Sequence, residues 1–196
     1  MRREELEELH YITLIRNVRS IMERGILSHR LAEGVHHESI AMPEIQARRA
    51  NVTVPGGRPL HEYVNLYVCG RNVMLYLRRS RHAEICVLRI NTDVLDLGGV
   101  IVTDGNASSD YVRFSAAPNG LAIVNRELTF AERWDDPNRI LYYQKKSAKC
   151  AEVLVPDRIE PSLITGAYVS CDGSLASMRE LNVHLAVTVD LHLFFL

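Results

Sequence analysis

No apolar run in this 196-residue chain approaches the roughly 20 residues needed to cross a bilayer, and the charged N-terminus lacks the apolar core of a secretory signal. Excess charge is missing too: 23 Lys and Arg against 24 Asp and Glu leave a net charge of -1. Coating duplex DNA by bulk electrostatics needs many uncompensated cations, so that class is disfavoured, although a local basic groove is not. The four cysteines, Cys69, Cys86, Cys150 and Cys171, form no CxxC pair and show no Cys/His ligand spacing. They read as reduced thiols, with no metal site expected. Internal repeats and low-complexity tracts are also lacking, which argues against solenoids and disordered linkers. A soluble, cytoplasmic protein is expected.

What is present is an ordinary globular balance, 47% hydrophobic and 24% charged. At this length one domain over residues 1–196 is expected. His10 to Leu14 has strand character. Asn17 is placed to cap a helix whose Val18, Ile21 and Met22 share one face, and Gly25 to end it with a positive φ. Residues 29–58 are weakly patterned, with one helical turn at Glu44 to Arg49, and so long a stretch inside a compact domain is usually functional or mobile. The adjacent His36 and His37 read as loop surface rather than ligands. Strands are expected at His61–Val68, Ile85–Ile90, Val100–Val102, Leu163–Val169 and along the alternating tail from Val183 to Phe195. Asn72–Arg78 reads as helix or strand. The densest basic cluster, Arg78 to His82, is either a solvated loop or a phosphate contact. Short strands with a few helices and no regular βαβ alternation indicate an α+β fold.

The most informative stretch is Lys149-Cys-Ala-Glu152-Val-Leu-Val-Pro156. Val153 to Val155 form a short buried strand that Pro156 stops. Glu152 stands at its entrance, where the sheet fixes a carboxylate that can still face a cleft. Two readings are open on this stretch alone. Glu152 either solvates a strand end or stabilises positive charge developing in a transition state.

Several segments in order sharpen the choice: Ile12-Thr13, Asn17, Ile21 and Gly25; Ile45 to Ala50 with Arg48 and Arg49; Leu60 to Val64 with Leu66-Tyr67; Arg71 with Met74-Leu75-Tyr76; Trp134 with Asp136-Pro137; Ala151-Glu152 with Leu154-Val155. Together they resemble the DarT family of DNA ADP-ribosyltransferases, toxins of toxin–antitoxin systems, over roughly residues 9 to 156. The resemblance implies a compact ADP-ribosyltransferase fold, two small twisted sheets around an NAD cleft with peripheral helices. It implies transfer of ADP-ribose from NAD, the co-substrate, onto a base of single-stranded DNA, with release of nicotinamide. It further implies single-stranded DNA and a macrodomain-type antitoxin as partners, no membrane, and a monomer. Cleaving the ribose–nicotinamide bond builds an oxocarbenium-like sugar. Glu152 takes the family's glutamate position and Arg48 its arginine, acting in catalysis and near NAD, with Arg49 as the alternative for that role. Thr13, Asn17, Leu27, Met74 and Tyr76 are implied cofactor contacts.

Three departures qualify the match. The slot of the family's NAD-binding histidine holds Tyr11, with His10 one step earlier. One step along a strand reverses the face, so either Tyr11 takes over with Thr13 or a bulge brings His10 round. Tyr111 stands where a further histidine is expected. The loop from Pro137 to Glu152 is longer than in the family and interleaves Tyr142, Tyr143, Lys145 and Lys146, with Lys149 beyond. With Arg49, these are the candidate DNA contacts. The same loop reads alternatively as a hydrophobic helical turn. The other functional readings are the same chemistry on RNA or protein, or a degenerate NAD- or nucleic-acid-binding module.

Overall fold

A computed structural model describes residues 1–196. Runs rich in β-branched and aromatic residues form the strands β1 (Leu9–Leu14), β2 (Ile26–Leu27), β3 (Tyr63–Tyr67), β4 (Ile85–Ile90), β5 (Ile101–Thr103), β6 (Phe114–Ala116), β7 (Glu152–Pro156), β8 (Arg158–Ile159), β9 (Ile164–Val169) and β10 (Val187–Val189). Between them lie the short helices α1 (Val18–Arg24), α2 (His29–Ala32), α3 (Pro43–Arg49), α4 (Val73–Leu77), α5 (Arg126–Phe130), α6 (Arg139–Ala148) and α7 (Asp172–Glu180). No helix is long and apolar enough to cross a membrane.

Eight strands pair in the order β10-β9-β4-β1-β3-β7-β5-β6, and β2 and β8 make a separate two-stranded ribbon. The large sheet has a weak seam. β1 and β4 pair without interruption from Leu9↔Ile90 to Leu14↔Ile85, whereas β1 and β3 meet at a single pair, His10↔Tyr67. Beyond it the two strands splay. The sheet is therefore two four-stranded halves joined at one point, with a cleft opening between β1 and β3. The expected pair of small sheets around a cleft takes this form, with the β2–β8 ribbon as an added element.

A large apolar cluster fills one side, built from Leu9, Leu66, Leu88, Val153, Ala167 and neighbours and closed by Val18 of α1 and Met178 of α7. A smaller cluster on the other side joins Ile12, Leu14 and Val87 to Leu75 of α4 and to Leu193 and Phe194 near the C-terminus. Burying such side chains stabilises the fold by roughly 1.5–3 kcal/mol each, which leaves the cleft as the place where polar groups gather.

Several expectations need adjusting. Residues 139–148 form a helix, α6, capped by Asn138, whose side-chain oxygen accepts from the Ile140 and Leu141 N–H groups. Asn72–Arg78 resolves to helix, with the Asn72 carboxamide accepting from Leu75 N–H. The tail is strand only at Val187–Val189, running parallel to β9, and the chain then turns so that Leu193 and Phe194 reach the smaller core. The basic cluster folds into a 3-10 turn, Arg79–Glu84, in which Arg81 pairs with Glu84 and Glu38. Asn17 uses its side chain not as a helix cap but to bond Thr13 Oγ1 and the Glu38 carbonyl.

Gly25 ends α1 at φ 85°, and a Cβ there would lie 2.3 Å from the Ile159 carbonyl of the ribbon. Gly25→Ala is expected to lower unfolding free energy by at least about 1–3 kcal/mol, the range for a strained backbone position. Urea titration checks this, and an unchanged midpoint would contradict the contact.

Candidate active site

Glu152 opens β7 directly opposite Tyr67, the strand residue at the seam. Its main chain is anchored by Thr103, whose Oγ1 accepts the Glu152 N–H at 3.1 Å and lies 2.7 Å from the Gly105 carbonyl. The side chain is fully enclosed, at 0% exposure. A carboxylate so placed needs compensation. Arg49, itself 5% exposed at the end of α3, supplies it: Nη1 lies 3.1 and 3.3 Å from the two carboxylate oxygens. Burial pushes the Glu152 carboxyl above its ordinary range, while the Arg49 charge and the Ala107 backbone pull it down. Burial and the Glu152 charge together raise the Tyr67 phenol.

The arginine at the carboxylate is thus Arg49, not Arg48 as the resemblance implies. Successive residues on a helix point about 100° apart, so only one of the two can face β7. Arg48 is exposed and lines the cleft without an ion-pair partner. Arg49 is correspondingly enclosed at the end of α3 and not on the outer surface. It lines the cleft whereas Glu152 does not, so the guanidinium stands between the carboxylate and the open space.

That space is a cavity of about 1390 Å³. It exceeds the roughly 300–1,000 Å³ of pockets for drug-sized ligands, leaving room for a dinucleotide and part of a second molecule. One wall is Tyr11, Ile12 and Thr13 of β1, and the facing wall is Tyr63, Val64, Asn65 and Tyr67 of β3. Asn17, Leu27 and Met74 also line it, as expected from the sequence. The reach of Tyr11 settles which residue of the pair faces the cleft: the β1 register is unbroken, so no bulge brings His10 round. The imidazole instead lies 3.3 Å from Glu8 and packs against Gly70, outside the cavity. Glu8 also accepts from Arg89 and Tyr168. Although burial opposes them, these bonds together hold its carboxyl down at about 2.

The remaining candidates divide. Tyr143 and Lys146 of α6 line the cavity, as does Tyr111, which is 94% exposed at its mouth. Tyr142 and Lys145 do not. Lys145 pairs with Asp136 at 2.8 Å, and Tyr142 packs edge-on against Tyr143. Lys149 lies away from the surface and outside the cavity: it is 1% exposed and donates to the Ala131 carbonyl at 2.9 Å. Tyr76 is likewise outside the cleft, stacked edge-on with Trp134 and Phe195, because residues two apart on a helix point to opposite sides and Met74 takes the inner one. Sequence reasoning missed Tyr67, Gln46 and His61. For Tyr67 the signal was its period-2 spacing with Tyr63 on a strand ending at the seam.

A family model described as "ssDNA thymidine ADP-ribosyltransferase, DarT" matches residues 10–195. A DNA ADP-ribosyl transferase of Thermus aquaticus is 39% identical over 160 residues, 76% of this chain and 68% of the relative. A DNA ADP-ribosyl transferase–DNA ADP-ribosyl glycohydrolase fusion protein of Thermosipho africanus is 29% identical over 200 residues, 96% of this chain. The chain spans about half the length of that relative, 50%. Among solved structures, Thermosipho africanus DarTG in complex with ADP-ribose superposes with a TM-score of 0.85 at 27% identity, covering 97% of this chain and 51% of that one. Thermus sp. 2.9 DarT in complex with ADP-ribosylated ssDNA gives 0.82 at 25% identity, with 97% of both chains covered. With a cleft between two half-sheets, a buried glutamate at its end and a family model spanning nearly every residue, this chain belongs to the DarT family of single-stranded DNA thymidine ADP-ribosyltransferases.

Proposed function

We propose that this chain transfers ADP-ribose from NAD onto thymidine in single-stranded DNA and releases nicotinamide, as the toxin of a toxin–antitoxin pair. The observation that carries the reading is the Arg49–Glu152 pair, a carboxylate held by one guanidinium at the end of a cleft roomy enough for a dinucleotide and a base. The complexes of DarT relatives with ADP-ribose and with ADP-ribosylated ssDNA support the substrates. The Thermosipho relative, which joins a transferase to a DNA ADP-ribosyl glycohydrolase, supports an antitoxin that removes the mark.

In this reading the C–N bond to nicotinamide breaks, its electron pair leaves with the nicotinamide, and the thymine nitrogen bonds the sugar carbon as its N–H bond breaks and the proton passes to solvent water. The sugar carries positive charge on the way. Glu152 supplies the fixed negative charge that matches it, in a site where water is excluded and such a charge acts strongly. Arg49 keeps that carboxylate ionised and aimed, and a substrate hydroxyl reaches it by replacing one Arg49 contact. Thr13 of β1 and Asn17 in the turn that follows it, bonded to each other at 3.3 Å, offer polar edges to the dinucleotide. Tyr143 and Lys146, on α6, offer a flat face and a cation to the DNA strand.

Three outcomes test the reading. Glu152→Gln, which keeps an acceptor for Arg49, should lower transfer to a thymidine-containing oligonucleotide by about a hundredfold to a thousandfold while leaving NAD binding intact. Near-normal turnover would remove Glu152 from the chemistry. The pH dependence supplies a second test, since Glu152 must be ionised and burial raises its pKa. The acid limb of kcat/KM should therefore lie above the ordinary glutamate range. Arg49→Met should move it to still higher pH, because the charge that lowers the pKa is gone, and Arg48→Met should not. Third, Tyr143→Ala should weaken oligonucleotide use by about tenfold to a hundredfold, the value of one lost stacking contact, and spare NAD hydrolysis measured without DNA. Equal loss of both activities would make the tyrosine structural.

A further inference from the structure

Three residues before Glu152, an amine is shut inside the protein with no carboxylate to answer it. Lys149 is 1% exposed, and its Nζ has two partners, the Ala131 carbonyl at 2.9 Å and the sulfur of Cys69 at 3.4 Å. Enclosing an ammonium without a counter-charge is costly. The side chain is also uncommon in this chain, where only three of the 23 Lys and Arg residues are lysine. An arginine in the same place would keep its charge and could not act as a nucleophile, whereas a lysine amine that gives up its proton can.

Cys69 is matched to it. Its thiol donates to the Arg71 carbonyl at 3.5 Å, which leaves the sulfur lone pairs free to accept from Lys149. It retains a solvent-facing edge, at 7% exposure, and oxidation of a thiol requires such access. The other three thiols differ. Burial pushes Cys86 up to about 12, and burial with the Glu152 charge does the same to Cys150, so both stay protonated. Cys171 has the Ser174 hydroxyl at 3.2 Å as its neighbour rather than an amine.

We propose that Cys69 and Lys149 form a modification site, at which a peroxide joins the two side chains through a reversible sulfur–nitrogen bond. The sulfur attacks one peroxide oxygen, the O–O bond breaks, and with hydrogen peroxide the thiol proton leaves with the second oxygen as water. Cys69 is then a sulfenic acid. Lys149, its extra proton passed to water, attacks that sulfur with its nitrogen lone pair. The S–O bond breaks, and the departing hydroxide takes one N–H proton to become a second water. Sulfur has lost two electrons to the peroxide, and the linked pair is lighter by two hydrogens than the thiol and amine that formed it.

The bond falls where the chemistry would feel it. Cys69 follows Tyr67 by two residues, and Tyr67 pairs across the ladder with Glu152. Between them the Val68 N–H still bonds the Ala151 carbonyl at 3.0 Å. A covalent bond much shorter than the present 3.4 Å contact draws on the entrance of β7, and a small displacement of a reacting group costs up to about a hundredfold in rate.

The test treats wild-type protein with hydrogen peroxide, blocks the remaining thiols with iodoacetamide in denaturant, and maps the peptides by mass spectrometry. The expected product joins the Cys69 and Lys149 peptides, with Cys86 and Cys150 alkylated, and dithiothreitol separates it. Transfer to the oligonucleotide should fall by about tenfold to a hundredfold on treatment and return with dithiothreitol. In Cys69→Ser that fall should be absent. A disulfide between Cys69 and Cys150, oxidation of Cys69 to a sulfinic acid without a link, or an untouched Cys69 would each overturn the inference. So would a dithiothreitol-reversible loss of transfer that persists in Cys69→Ser. The mass readout does not depend on turnover, so it decides the inference separately from the transferase reading.

Discussion

The contact between Arg49 and Glu152 constrains more of this molecule than any other. Neither charge could be enclosed alone, since removing one partner of a buried pair costs about 3–5 kcal/mol. The pair therefore holds α3, which emerges from a weakly patterned stretch, against the entrance of β7. Around it the neighbours are arranged to keep the carboxylate still. Thr103 fixes its backbone, Ala107 faces its oxygens, and Tyr67 stands across the ladder. Such a charge is poor as a source of net stability, because desolvation offsets most of the attraction. Its retention at the end of a large cleft makes better sense as preorganisation for chemistry than as packing.

The α6 helix is tied to the same point. It runs into Lys149, Cys150 and Ala151 and so directly into β7. Thr129 of α5 donates to the Ala148 carbonyl at 3.1 Å, and Lys149 plugs the joint by bonding the Ala131 carbonyl. Gly105 leaves room for Ser147, since a Cβ there would come 2.4 Å from its hydroxyl. The wall carrying Tyr143 is thereby set relative to Glu152 by a few well-packed residues and not by a loose loop.

Much of this architecture was legible from the chain alone. β-branched runs marked β1, β4 and β9, Gly25 marked the end of α1, and the strand behind Glu152 was bounded by Pro156. What failed did so for identifiable reasons. Choosing Arg48 over Arg49 required the phase of a seven-residue helix, which packing against β7 sets and no local periodicity records. Tyr76 was placed in the cleft for the same reason. The alternation from Val183 onward is real but reflects half-buried side chains leaning on the large core, and only three residues find a strand to pair with. Helix α7, with Gly173 and Ser174 in its first turn, has too little apolar periodicity to announce itself. Gln46 and His61 carry no motif at all, and only the cavity brings them together.

The single pair His10↔Tyr67 has a consequence for how this protein tolerates change. Past that pair, β1 and β3 no longer spend their facing N–H and C=O groups on each other. A ligand lying in the gap meets peptide groups that no substitution can delete, and it can be gripped as an added strand would be. Side chains along the rim then tune binding without creating it. Tyr11 in place of the expected histidine changes a side chain on that rim and leaves the main-chain groups where they are.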